Sequence, residues 1–240
     1  MRNLARTILI ACGLVGMLAQ SSPAVTYTGS LSTAGGGLTG TGIWGTSPST
    51  LIEWTVSDGS GSNWLYAYNL TMPSKDISHF IIEASPSFTS ANIWDVSSST
   101  SLKSVEVGTF GEKGKSTPGI PSLIYGIKFD VKGDTTDIEV SFMSDRSPVW
   151  GDFYAKDGKQ KSPKTNVAIW NTGFTSLDSD PLAPAASGAL SNHLLVPDTN
   201  GGGGDGDNVY VIPEPLTILA IGMSLAAAGA AARKSVRGGI

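Results

Sequence analysis

Thiol chemistry is nearly absent from this chain of 240 residues, whose one cysteine, Cys12, sits in an apolar stretch close to the N-terminus. The remainder has no disulfide, no cysteine nucleophile and no thiolate metal site, so it must rely on its hydrophobic core. Histidine is equally scarce, with only His79 and His193. No Ser/His/Asp order, no His-Glu-x-x-His helix and no phosphate-cradling glycine loop occurs; Gly35-Gly36-Gly37 runs into a Thr-rich coil and not into a helix. Charge is low, at 15% of residues. Setting aside Arg2, Arg6, Arg233, Lys234 and Arg237 takes the 16 basic residues to 11 against 20 acids, leaving the rest of the chain near −9. Phosphate recognition needs a basic face, so no nucleic-acid partner is expected. A sustained, capped helical period is also missing before residue 216.

What is present is glycine, 30 residues of it, with abundant Ser and Thr. That mix suits a secreted β protein with many turns. Residues 1–24 read as a secretory signal peptide, with Arg2 and Arg6 as the charged start, Ile8 to Ala19 as the apolar stretch, and cleavage after Ala24 in Ser22-Pro23-Ala24. Leu9-Ile10-Ala11-Cys12 has the form of a lipoprotein box, but the apolar stretch before it is too short for one.

Residues 25–197 carry the strand pattern. After an early candidate at Val25 to Thr28, Ile52, Trp54 and Val56 alternate with Glu53 and Thr55. A Gly/Ser turn follows, and Trp64, Tyr66, Tyr68 and Leu70 then share one face, which predicts a hairpin. Phe80 to Ala84 is a compact apolar run, and Val105 and Val107 mark a short strand. The clearest alternation is Tyr125, Ile127, Phe129 and Val131 against Lys128, Asp130 and Lys132; beyond Gly133-Asp134, Ile138, Val140 and Phe142 resume the buried face. Val149 to Tyr154, Asn166 to Trp170 and Leu194 to Val196 complete roughly nine short strands. The expected fold is all-β: a single β-sandwich, with the jelly roll as one form of it, flanked by a signal peptide and a C-terminal transmembrane helix.

Residues 198–210, rich in Gly and Asp, read as a flexible linker. Residues 211–240 have three parts in order: Pro213-Glu214-Pro215, whose prolines keep the backbone extended; an apolar run over 216–232, the length of a short transmembrane helix; and a basic stop at Arg233, Lys234 and Arg237, which favours the cytoplasmic side. The run is rich in Ala and Gly beyond Ser224, so it inserts more weakly than a Leu-rich span.

This tail resembles the PEP-CTERM sorting signal of bacteria. The resemblance implies recognition near Pro213-Glu214-Pro215 by a membrane-embedded, cysteine-dependent exosortase, after delivery by the secretion machinery, in a Gram-negative host that exports extracellular polysaccharide. The stretches Ser78 to Glu83, Ile124 to Phe129 and Ser144 to Gly158 resemble a group of PEP-CTERM exported proteins to which the resemblance brings no activity.

Candidate chemistry centres on Ser144 to Gly158, which gathers Asp145, Arg146, Asp152 and Asp157 among Trp150, Phe153 and Tyr154. Asp145 and Asp152 could form a carboxylate pair acting on a sugar, or supply oxygens to Ca²⁺. The structural reading, which is favoured, puts Asp145-Arg146 in a turn, Trp150 and Phe153 in the core, and Asp157-Gly158 at a hairpin. Asp205-Gly206-Asp207 also invites calcium but lacks the twelve-residue loop and its closing Glu. No catalytic, cofactor or metal residue is therefore nominated. Among the six tryptophans, Trp44 is the candidate for an exposed sugar-stacking face. The expectation is a non-enzymatic exported protein of the cell surface or extracellular matrix, anchored in the membrane through residues 216–232 before processing. A carbohydrate-binding or adhesive module of the exopolysaccharide matrix is the alternative, and a polysaccharide hydrolase the third reading.

Overall fold

In a computed structural model of the chain, residues 24–59, 63–111, 117–157, 167–175 and 183–197 are described. Most of the expected signal peptide, the linker, the Pro213-Glu214-Pro215 motif, the apolar run 216–232 and the basic stop lie outside them. Among the described residues no helix is long and apolar enough to cross a membrane.

The alternating segments become strands as their pattern requires. In chain order they are β1 (Thr26–Ser32), β2 (Leu38–Thr41), β3 (Leu51–Asp58), β4 (Trp64–Thr71), β5 (Ile77–Glu83), β6 (Ile93–Ser98), β7 (Leu102–Phe110), β8 (Ile124–Val131), β9 (Asp137–Ser144), β10 (Pro148–Gly151), β11 (Phe153–Asp157), β12 (Ala168–Asn171) and β13 (Leu194–Pro197). One α-helical turn, α1 (Gly42–Thr46), follows β2. A five-stranded sheet runs β1-β3-β4-β9-β6, a six-stranded sheet β2-β12-β11-β5-β8-β7, and β10 pairs with β13 apart from both. Among the described residues these strands pair antiparallel throughout, and β3–β4 is the hairpin that the sequence predicts, Asp58 opposite Trp64.

The two large sheets pack together through the faces that the alternation marked as apolar. Ile52, Trp54, Val56, Tyr66, Tyr68 and Leu70 from one and Phe80, Ile82, Ile127 and Phe129 from the other are all buried in one cluster. Phe142 of β9 joins it, with ring centroids 5.8 Å from Phe129 across the sheets and 5.4 Å from Tyr66 within its own. Each such side chain removed from water contributes about 1.5–3 kcal/mol. Tyr68 carries its hydroxyl into this core and donates it to the Leu195 carbonyl at 2.9 Å, fastening β4 to β13.

Three features depart from the sequence pattern. Val149 to Tyr154 is not one strand: it breaks at Asp152, β10 pairing with β13 and β11 joining the six-stranded sheet. The Asp152 N–H is taken by the Glu83 carboxylate at 2.8 Å, which frees the chain to change partners there. Strand β6 is invisible to a period-2 reading because its register shifts between Trp94 and Ser97, where Asp95 takes φ +51°. Strand β2 is only four residues long and includes a glycine, too short to show alternation. The six-stranded sheet also buries part of its outer face, in a second cluster of Ile81, Ile124, Tyr154, Ala168 and Phe174.

Candidate functional site

The residues nominated in Ser144 to Gly158 separate into different surroundings. Asp145 and Arg146 lie in the bend after β9, as the structural reading expects. Asp145 is exposed and accepts from the Asn92 amide at 2.9 and 3.2 Å. Asp152 is 2% exposed beyond the far end of β10, a strand about 13 Å long that stands between the two residues in the chain. The two carboxylates are not brought together. Trp150 and Phe153 are in the core. Asp157 ends β11 with its carboxylate against the Val167 N–H at 3.4 Å; burial is the leading cause that raises its pKa. Gly158 lies outside the described residues.

Asp152 instead belongs to a buried polar knot that the sequence did not announce. The Asn171 amide at the end of β12 donates to Asp152 Oδ1 at 2.6 Å and to the Asn192 carbonyl at 2.9 Å, while its own oxygen accepts the Phe153 N–H at 2.9 Å. His193 Nε2 is 3.5 Å from Asp152 Oδ1, and its Nδ1 is 3.2 Å from the Leu190 carbonyl. Glu83 closes the set from β5. A Cβ at Gly173 would stand 2.8 Å from the His193 ring, so only glycine lets that turn approach the ring. Four chain segments meet here in buried or part-buried hydrogen bonds, the arrangement of a joint.

His79, the other histidine, is 2% exposed on the outer side of the six-stranded sheet. Burial, then the charges of Lys156 and Lys128, push its pKa down to about 3, with Asp130 pulling the other way. Beside it Lys128 reaches Asp130 at 2.7 Å and Glu106 at 3.3 Å. Burial lowers the Lys128 pKa, but these two carboxylates outweigh it and hold the ammonium above its ordinary value; Asp130 is held below its own by the Lys128 and Ser104 hydrogen bonds against burial. Both groups stay ionised, which suits an ion pair and not proton transfer.

Trp44 corrects an expectation. It is fully buried in α1, its Nε1 donating to the Ser74 carbonyl at 2.6 Å and its own carbonyl accepting the Thr50 hydroxyl at 2.7 Å. It offers no stacking face to solvent.

An open concavity lies on the outward face of the five-stranded sheet. There a groove of about 370 Å³ is lined by Thr28, Glu53, Thr55, Ala67, Asn69 and Glu139, together with backbone of the neighbouring residues. The volume is within the range of small-molecule sites. Register builds it in rows across the strands. Glu53, Asn69 and Glu139 stand opposite one another on β3, β4 and β9. The next row is Thr55, Ala67, Ser141 and Ser97, and the one after it Ser57, Leu65, Met143 and Trp94. Ala67 leaves the depression between taller neighbours. Asn69 Nδ2 and Glu53 Oε2 are 3.4 Å apart, a long contact that leaves the amide able to serve a ligand. Glu53 was legible as a polar position of the alternation, whereas Asn69 was not singled out for this face and Trp94 was hidden by the irregularity of β6.

Comparison with protein-family models, curated proteins and solved structures returned no match for this chain.

Proposed function

We propose that this protein is exported through its signal peptide and sorted by an exosortase at Pro213-Glu214-Pro215, to act without catalysis at the cell surface or in the extracellular matrix of a Gram-negative bacterium. The observation that carries the reading is the order of the tail in the sequence: Pro-Glu-Pro, an apolar run and a basic stop. Thr26 at the start of β1 pairs with Ser57, and Pro197 at the end of β13 pairs with Pro148, a few residues beyond β9. Both ends of the described fold therefore lie at the pole holding the β3–β4 turn and the Asp145 bend.

The domain is read as a single jelly-roll-like β-sandwich, because the chain changes sheet between β4 and β5, β5 and β6, β6 and β7, and β8 and β9. The outward groove favours a second reading, a carbohydrate-binding module of the exopolysaccharide matrix.

The test is the intact mass of the mature protein from a host that carries an exosortase. A mass beginning after Ala24 and ending near Pro213-Glu214-Pro215 supports sorting. A mass that includes Ile240 overturns it and makes the tail a plain anchor.

A further inference from the structure

The outward face of the five-stranded sheet has a chemistry of its own. Hydroxyl residues dominate it: Thr28, Thr55 and Thr71 with Ser30, Ser97 and Ser141 occupy its outward positions. The rows across β1, β3, β4 and β9 contain carboxylates at Glu53, Glu139 and Asp137, and no lysine or arginine among the described residues. A face with acceptors and no cation repels phosphate, sulfate and uronate polymers. It suits a ligand made of hydroxyl groups, which donate to carboxylate and amide oxygens and accept from the Asn69 amide and the Ser and Thr hydroxyls.

The rows are also graded. Strands are spaced about 4.8 Å apart and rows about 6.7 Å apart. The acid/amide row Glu53, Asn69, Glu139 is therefore separated by one row of small residues from a row that is apolar on β4, β9 and β6, at Leu65, Met143 and Trp94, with Ser57 on β3. Leu65 is 39% exposed, high for an aliphatic side chain, and Trp94 is partly exposed on the same face two strands away, with Met143 between them. A pyranose has two apolar C–H faces and a polar rim, and an aromatic side chain covers such a face while polar groups take the rim.

We propose that this groove and the row of Leu65, Met143 and Trp94 outside its lining together bind a neutral polysaccharide, one pyranose lying against Trp94 and Met143 and further sugars of the same chain reaching Asn69, Glu53 and Glu139 across Ala67. The inference deepens the carbohydrate-binding reading above by naming the site and the class of glycan, and it stands or falls independently of the sorting of the tail.

The experiment is binding of the full chain, purified in a non-glycosidic detergent, to an array of neutral oligosaccharides (gluco-, manno-, galacto- and xylo-hexaoses) beside polygalacturonate and heparin. The Trp94→Ala, Asn69→Ala and Ala67→Trp variants are measured in parallel, each checked for an unchanged far-ultraviolet spectrum. The expected result is binding to at least one neutral glycan, weakened about tenfold or more by Trp94→Ala and Asn69→Ala and blocked by Ala67→Trp, which fills the groove. Silence towards all the neutral glycans overturns the proposal, as does binding that only the anionic polymers show. Neutral-glycan binding that Ala67→Trp leaves intact places the ligand elsewhere and overturns it equally. A silent array with a tail cut at Pro213-Glu214-Pro215 would sink this site alone; binding with Ile240 retained would sink the sorting reading alone.

Discussion

The Asn171 amide donates to the Asp152 carboxylate at 2.6 Å, and the Asn171 oxygen accepts the N–H of Phe153, the next residue along. One side chain at the end of β12 thus holds both sides of the point where the chain leaves β10 for β11. Replacing it with an apolar residue of similar size, Asn171→Leu, leaves a buried N–H and a buried carboxylate short of partners. The expected loss is about 2–3 kcal/mol in urea unfolding. A loss below about 0.5 kcal/mol would show that the joint is held without Asn171.

Phe142 touches both sheets, stacking on Tyr66 at 5.4 Å and meeting Phe129 at 5.8 Å. Phe142→Ala should open a cavity where the sheets face each other and cost about 3–5 kcal/mol, against under 1 kcal/mol for the exposed Val96→Ala. Equal effects would mean that the sheets are not held together here.

His79 predicts a pH dependence with a definite sign. Its folded pKa is held down at about 3, from an ordinary value of 6.5. As pH falls below about 6.5 the unfolded chain takes up the proton first, so the folded state loses stability down to about pH 3. The slope is about 1.4 kcal/mol per unit, or about 2 kcal/mol between pH 7 and pH 5. Urea unfolding at the two pH values should show this difference in the native chain and a smaller one in His79→Gln, which does not titrate. Identical slopes would remove His79 from the account.

Trp44→Phe should cost about 1 kcal/mol, because the Ser74 carbonyl loses the Nε1 donor 2.6 Å away. Since Trp44 is fully buried, glycan binding should be unchanged. A variant that stays folded but no longer binds would return Trp44 to the candidate site.

Much of the fold was legible wherever alternation ran unbroken. Ile52 to Val56, Tyr66 to Leu70 and Ile127 to Val131 appear on the buried face because a strand has a period of two and water excludes every second residue. The short or interrupted strands were not legible. In β6 the shift after Trp94 hides the period, and in β10–β11 one apolar run serves two sheets. The hydrophobic content is the same whether the chain goes straight on or turns at Asp152. The site was legible only in part: Glu53 is a polar position of the alternation, but nothing local says that Glu139 will stand in one row with it and Asn69.

By itself, then, the sequence determined the all-β class, the inward faces of the long strands and the three-part pattern of the tail, because each is a property of neighbouring residues. The tertiary structure alone decided the partners. It placed β9 beside β4, and so made one row of Glu53, Asn69 and Glu139; it drew Glu83, Asp152, Asn171 and His193 into one buried joint; and it buried Trp44 while leaving Trp94 half open. Long-range pairing is set by how two whole sheets close over a shared core, and that closure is written in no single stretch of chain.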